Sequence, residues 1–375
     1  MAIIKPYTIA VMQASKIQIR SGGMAKFKKN VKTNLNHYCA LIDGACRNNS
    51  SVKLVTFGEF TITGQYAPAD LDDHEFNNKE ILENTAIRIP GPETDVFASK
   101  AEQYGIYIAA ANFEYDPDWP NIHFNTAFII SPEGEIILKY RKLMGQAASV
   151  HDIMDKYVNP LTKKYDPFPV VDTRIGRLAC IVCTDMYTPE LTRIYGMKGA
   201  EVILRLTAGW GMLRAPGVGR AVAIARASDN GVYFVVSNWG PYLGTQYAAA
   251  TSAGHSCVIN YEGRVIEEAL TTNEIVLKAQ VDIEALRDYK RRRDPIRLIR
   301  TELYLPYYRR TIFPPNTLLG TSVEKLDSRE RDTRPVAMEN VKKNQDFYNE
   351  YDVMTSQAKA KNNFRQRKYE MPRDD

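Results

Sequence analysis

Cysteine is scarce in this chain: five residues among 375, spread as Cys39, Cys46, Cys180, Cys183 and Cys257. An odd and sparse set does not suggest a disulfide framework and suits a reducing compartment. Long apolar runs are also lacking, so no stretch reaches the length needed to span a bilayer. The only early apolar run, in MAIIKPYTIAVMQ, contains Lys5 and Pro6 and leads to no small-residue cleavage site. No signal peptide is expected, and the chain reads as cytoplasmic. No short-period repeat indicates a solenoid or propeller, and no extended low-complexity tract is present. What the chain does have is core: 44% hydrophobic residues suffice for one large domain or two of ordinary size.

The formal charge of +5 is modest but unevenly spread, with nine basic and three acidic residues from Arg287 to Arg310. No nucleic-acid-binding motif accompanies them, so the run reads as a solvated helix face or a subunit contact. Neither a nucleic acid nor a membrane is expected as a partner. The last stretch, ENVKKNQDFYNEYDVMTSQAKAKNNFRQRKYE, has few large aliphatics and cannot build a core of its own.

Between these ends, strands and helices repeat in one order. YTIAVMQ (7–13) reads as a strand, Lys26 to Arg47 as an amphipathic helix and VKLVTF (52–57) as a strand ending at Gly58 and Glu59. A helix from Glu93 to Tyr104, a strand at 106–111 and a hairpin about the Pro-Glu-Gly turn at 132–134 follow. The second half repeats this with strand 177–182, a helix after Pro189, strand 201–206, helix 218–230, strand 232–237 and a hairpin about 262–263. Two such halves predict an α/β fold built as a four-layer α-β-β-α sandwich.

The stretch ACIVCTDMYTPE (179–190) contains the only C-x-x-C. Cys180 falls inside a strand and Cys183 just past it, an odd spacing that sends the side chains to opposite faces unless the chain turns. Shared metal ligation would also need further ligands, and no second C-x-x-C exists. A thioredoxin-like pair normally opens a helix rather than lying inside a strand. Cys180 is most simply core, whereas Cys183 stands where α/β proteins expose reactive groups. Glu59 in TFGEF and Lys142 in KYRKL likewise fall just beyond strand ends. Each alone is commonplace, but together thiol, carboxylate and ammonium form a workable set for attack on a carbon multiply bonded to nitrogen or oxygen.

Several segments agree in order with one family: TFGEFTITG, HFNTAFIISPEGEIILKYRKL, GRLACIVCTDMYTPE, MKGAEVILR, RASDNGVYFVVSNWG and SAGHSCVINYEGRV. Over residues 7 to 310 the chain resembles the nitrilase (carbon–nitrogen hydrolase) superfamily, and AIRIPGPETDVFASKA, MKGAEVILR and AGHSCVINYEGRV most resemble aliphatic amidases and formamidases. The resemblance implies the nitrilase-like sandwich, with Cys183 as nucleophile, Glu59 as base and later acid, and Lys142 as oxyanion stabiliser. The backbone N–H of Thr184 would be a second oxyanion donor. It implies a cysteine-dependent amidase that hydrolyses a small linear amide to carboxylic acid and ammonia or amine through a thioester, with no metal or organic cofactor. An N-carbamoyl amidohydrolase, a nitrilase, or a non-enzymatic scaffold on the same fold stay open.

Relatives form dimers or larger homo-oligomers. ELYLPYYRRTIFPP (302–315), rich in aromatics and prolines without helical or strand periodicity, reads as an extended arm crossing onto a partner. The division is therefore a hydrolase domain over 1–300 and a C-terminal arm over 301–375. There are departures from the family. Gly58 stands where relatives commonly have Pro, and Thr184 and Asp185 replace the Trp-Glu of true nitrilases, which favours amide over nitrile. Many relatives carry a second glutamate after the lysine, but residues 143 to 165 contain none. Asp155 is the better placed substitute, with Asp152 as the alternative and a helix cap as the ordinary role for either. Tyr187, Thr207 and Trp210 are candidates for the substrate pocket, and His151 for a ligand contact.

Overall fold

The central strands are apolar on both faces, which requires a cover on each side. The computed structural model describes residues 3–17, 23–64, 84–119, 123–143, 166–209, 217–243 and 254–309. In chain order the elements are β1 (Tyr7–Gln13), β2 (Lys16–Ile17), α1 (Gly23–Cys46), β3 (Val52–Thr56), α2 (Pro92–Tyr104), β4 (Tyr107–Tyr115), β5 (His123–Ile130) and β6 (Ile136–Arg141). The second half holds β7 (Val171–Thr173), β8 (Gly176–Val182), α3 (Pro189–Met197), β9 (Val202–Leu206), α4 (Val218–Asn230) and β10 (Tyr233–Ser237). It continues with β11 (Tyr242–Leu243), β12 (Cys257–Ile259), β13 (Val265–Glu268), β14 (Ile275–Val281), α5 (Ile283–Arg293) and α6 (Thr301–Arg309).

Two six-stranded sheets result, in the orders β14-β1-β3-β4-β5-β6 and β13-β12-β10-β9-β8-β7. Each has three parallel strands at its centre, β1, β3 and β4 in one and β8, β9 and β10 in the other. Side chains of one strand serve two cores: Tyr7, Ile9 and Val11 of β1 enter the core between the sheets, while Ala10 and Met12 meet the layer containing α1 and α2. Fully burying an Ile or Val in this way contributes roughly 1.5–3 kcal/mol. The sheets stack with β1 over β10, β4 over β9, and β5 and β6 over β8. Their buried hydroxyls meet where Thr56 and Ser237 share a hydrogen bond of 2.5 Å. The result is the nitrilase-like α-β-β-α sandwich.

Helix ends obey local chemistry. Pro92 opens α2, where its missing N–H is no loss, and Gly105 closes it in the left-handed conformation at φ 61°. Asp282 caps α5 by accepting from the Ala285 N–H, and Lys290 to Arg293 lie at its C-terminal turn, where the helix dipole favours cations. The basic run is thus a helix face with Arg291 and Arg292 largely in solvent.

Several strands escaped the sequence reading: β7, which pairs antiparallel with β8, β14, which pairs antiparallel with β1, and the small parallel pair of β2 with β11. The arm needs correction over its described part. Residues 301–309 are helical, not extended, with Pro306 inside the helix and the Tyr308 hydroxyl 2.9 Å from Glu190 Oε1 of α3. Leu303, Tyr304, Leu305, Tyr307 and Tyr308 are all exposed, so no single apolar face produced a helical period. The remainder of the arm lies outside the described residues. Among the described residues no helix is long and apolar enough to cross a membrane.

Candidate active site

Beyond β3 the chain turns sharply, and side chains hold the turn. Phe60 takes a left-handed φ of 54°, the Thr61 hydroxyl donates to the Gly58 carbonyl at 2.6 Å, and Asn112 Oδ1 accepts the N–H groups of Ile62 and Thr63 at 3.1 Å each. A Cβ on Gly58 would lie 2.7 Å from Trp239 Cδ1 and 2.8 Å from the Thr207 carbonyl oxygen. That close approach leaves no room for a side chain at position 58: the Trp239 indole occupies the space. Its Nε1–H donates to the Glu59 carbonyl at 2.5 Å, while the Glu59 N–H donates to the Thr207 carbonyl at 3.3 Å.

The Glu59 side chain is 1% exposed. Its Oε1 accepts from Lys142 Nζ at 2.9 Å and Asn125 Nδ2 at 2.6 Å, and its Oε2 accepts from the Ala208 N–H at 3.0 Å. Burial pushes the carboxyl upward, but the Lys142 charge and these hydrogen bonds outweigh it and hold the group below the usual carboxylate range. Lys142 follows β6, and its own N–H donates to the Asn125 carbonyl at 2.8 Å. Burial works against its ammonium, yet Glu59, then Cys183 and Asp185, hold it above the ordinary lysine range. A buried pair of this kind gains little net stability. Removing one partner strands a charge, at a cost of roughly 3–5 kcal/mol.

The two cysteines of the C-x-x-C separate as their spacing requires. Cys180 in β8 is fully buried, and burial alone raises its thiol. Cys183 is half-buried and opens a 3-10 turn, Cys183–Tyr187, at a left-handed φ of 51°. That conformation costs a non-glycine residue about 1–2 kcal/mol. Its neighbours fix it: Asp185 Oδ2 accepts from the Val182 N–H at 2.9 Å and from the Tyr140 hydroxyl at 2.7 Å, and Arg205 Nε donates to the Cys183 carbonyl at 3.0 Å. Burial and then the Glu59 carboxylate push the Cys183 thiol upward, against Lys142, Arg205 and the Thr207 side chain. Thiol, carboxylate and ammonium therefore act on one another, and such a set can move a proton from sulfur to carboxylate and hold a developing anion.

Of the candidates drawn from sequence, Glu59, Lys142, Cys183 and Thr207 come together. Thr184 follows Cys183 with an exposed side chain, and Tyr187 is half-buried at the end of the turn. Asp152, Asp155, His151 and Trp210 lie outside the described residues. Sequence reasoning missed Asn125, Ala208, Asp185, Arg205 and Trp239 as members of the site. Ala208 acts through its backbone and leaves no residue-type signal. Asn125, in HFNTAFII, was legible only as a polar residue in a buried strand. Among the described residues no group of three or more His, Cys, Asp or Glu could hold a metal ion.

Comparison with known proteins agrees with this fold. A family model described as Carbon-nitrogen hydrolase matches residues 8–291. The Omega-amidase NIT2-A of Xenopus laevis is 25% identical over 290 residues, covering 75% of this chain and 98% of that protein. A formamidase of Bacillus thuringiensis is 33% identical over 150 residues, 40% of this chain and 41% of its own length. Among solved structures, Saccharomyces cerevisiae Nit3, of the nitrilase superfamily, superposes with a TM-score of 0.59 at 22% identity, over 78% of this chain and 96% of its own. An amidase from Nesterenkonia sp. gives 0.59 at 21% identity over 82% and 99%. A variant of that amidase carries the acetamide moiety of fluoroacetamide on its active-site cysteine. The doubled sheet, the strand-end cluster and the extent of the family match together mean that this chain belongs to the carbon-nitrogen hydrolase family.

Proposed function

We propose that the protein is a cysteine-dependent amidase that hydrolyses a small linear amide to carboxylic acid and ammonia or amine through a thioester on Cys183. The supporting observation is the buried Glu59–Lys142 pair electrostatically coupled to Cys183. Glu59 Oε1 already accepts two hydrogen bonds, and Oε2 accepts one from Ala208. A carboxylate oxygen has two lone pairs, so the place left for the Cys183 proton is on Oε2. As the proton moves there, sulfur attacks the amide carbon, and the carbonyl oxygen becomes an anion held by Lys142 and the Thr184 N–H. Collapse breaks the C–N bond, and the leaving nitrogen takes the proton from Glu59. Water then attacks the thioester while Glu59 accepts its proton, and release of the acid returns a proton to sulfur. Positioned proton transfer contributes about 10²–10⁴-fold and one oxyanion donor about 10²–10³-fold.

Thr207, Tyr187 and Trp210 are the proposed pocket residues, Thr207 supported by the pull of its side chain on the Cys183 thiol. For Asp155 we propose the role of the second carboxylate: Asp155→Asn lowers kcat by about tenfold or more with little change in Tm, because the amide keeps the shape and loses the charge. Normal turnover in that variant removes Asp155 from the site. The overall reading is tested by screening amides, N-carbamoyl compounds and nitriles for ammonia release. Turnover of small amides is expected. Release from nitriles or carbamoyl compounds alone reassigns the substrate, and silence across the panel refutes the amidase.

A further inference from the structure

Beneath Glu59 lies a second lysine that the proposed chemistry does not use. Lys16 is 2% exposed, and its Nζ donates to the carbonyl oxygens of Glu59 at 2.9 Å and Phe60 at 3.1 Å. The ammonium also rests on the face of the Trp239 ring, whose own N–H donates to the same Glu59 carbonyl. In an extended chain successive carbonyls point apart. The left-handed φ of 54° at Phe60 turns the two toward one cation. A buried ammonium without a carboxylate bonded to it is costly, so its retention needs a reason.

The surroundings tie this lysine to the site on every side. Lys16 belongs to β2, paired in parallel with β11, and its N–H donates to the Pro241 carbonyl at 3.2 Å. The next residue, Ile17, exchanges hydrogen bonds with the Asn34 side chain at 2.9 and 3.1 Å. Asn34 also donates to the Ile62 carbonyl at 3.2 Å, in the turn that follows Glu59. Three separate segments, 16–17, 59–62 and 239–242, thus converge on one ammonium and one indole.

We propose that Lys16 is a positioning residue: with Trp239 it clamps the main chain of residues 59 and 60 and so fixes the Glu59 carboxylate toward Lys142 and Cys183. The inference rests on the reading of Glu59 as the base. The clamp grips carbonyls, leaving both carboxylate oxygens to Lys142, Asn125 and Ala208. Burial drives the Lys16 ammonium well below the usual lysine range while the Glu59 charge pulls the other way.

The test compares Lys16→Met, Lys16→Gln and Trp239→Phe with the wild type by steady-state kinetics and by the pH dependence of Cys183 alkylation with iodoacetamide, followed by peptide mass. Lys16→Met is expected to lower kcat about tenfold or more while KM stays within about threefold. Its lower alkylation inflection, which reports Glu59, should move up by about one pH unit as the carboxylate loses its partners. The other charged groups around that pair, Lys142, Asp185 and Arg205, are untouched. Lys16→Gln, which keeps a donor, should fall between. A loss confined to KM, or an unmoved inflection, overturns the proposal. Where Lys16→Met does not fold, Trp239→Phe decides by the same readings, since its indole holds the same carbonyl. A wild type that turns over no amide refutes the amidase reading, and the alkylation inflection still decides the role of Lys16.

Discussion

The two sheets share a topology but bring opposite things to their common end. The first delivers Glu59 and Lys142 as a desolvated pair whose hydrogen bonds are nearly all taken. The second delivers Cys183 half-buried on a strained turn, with its thiol held protonated by burial and the neighbouring carboxylate. One side is fixed and charged, and the other is neutral and reachable. A thiol that keeps its proton until a substrate arrives fits a hydrolase that transfers that proton within the site instead of storing a free thiolate.

The sharpest way to break this contrast is within the second sheet. Cys183→Ala should abolish amide turnover, while Cys180→Ala should keep it within about threefold and cost about 1 kcal/mol in urea unfolding, the ordinary effect of a small cavity. Equal losses in both, with both folded, would return the pair to a shared role.

On the first sheet, Glu59→Gln should lower kcat by about 10²–10⁴-fold and let a substrate-derived thioester on Cys183 accumulate for mass spectrometry. The variant also tests the charge. Because the fold depresses the Glu59 pKa, the stability it contributes is complete above its unfolded-state value and is lost as pH falls through the lower folded value. Urea midpoints should therefore decline below the ordinary carboxylate range in the wild type and decline less in the variant. Parallel declines would show that Glu59 is not held as a carboxylate.

Gly58→Ala sharpens the comparison at the seam between sheets. Its Cβ would press on Trp239 and on the Thr207 carbonyl, so a loss of roughly 1–3 kcal/mol and a drop in kcat are expected by thermal melting and kinetics. An unchanged Tm would mean that the indole moves freely. The smallest effect on kcat among these changes around the site should come from Tyr140→Phe, which deletes the hydroxyl linking β6 to Asp185 in the Cys183 turn. A loss of about 1–3 kcal/mol with only a few-fold lower kcat would mark that link as support.

Much of this was readable in advance because it is local. Apolar runs bounded by turn residues placed the central strands within a residue or two at β1, β3, β8, β9 and β10, and the odd spacing of Cys180 and Cys183 separated a core thiol from an accessible one. β14 did carry a strand signal that the reading passed over, buried Leu277, Ala279 and Val281 alternating with exposed Lys278 and Gln280, whereas α6 was missed because its aromatics face solvent. The sequence by itself therefore determined the layers of the sandwich and the three strand-end residues, since periodicity and residue chemistry are properties of short segments. Only the tertiary structure decided which groups complete the site. Asn125, Ala208, Trp239 and Lys16 reach Glu59 from sequence separations of 66, 149, 180 and 43 residues. Hydrogen-bond geometry between distant segments is set by how the sheets stack, and no local pattern encodes it.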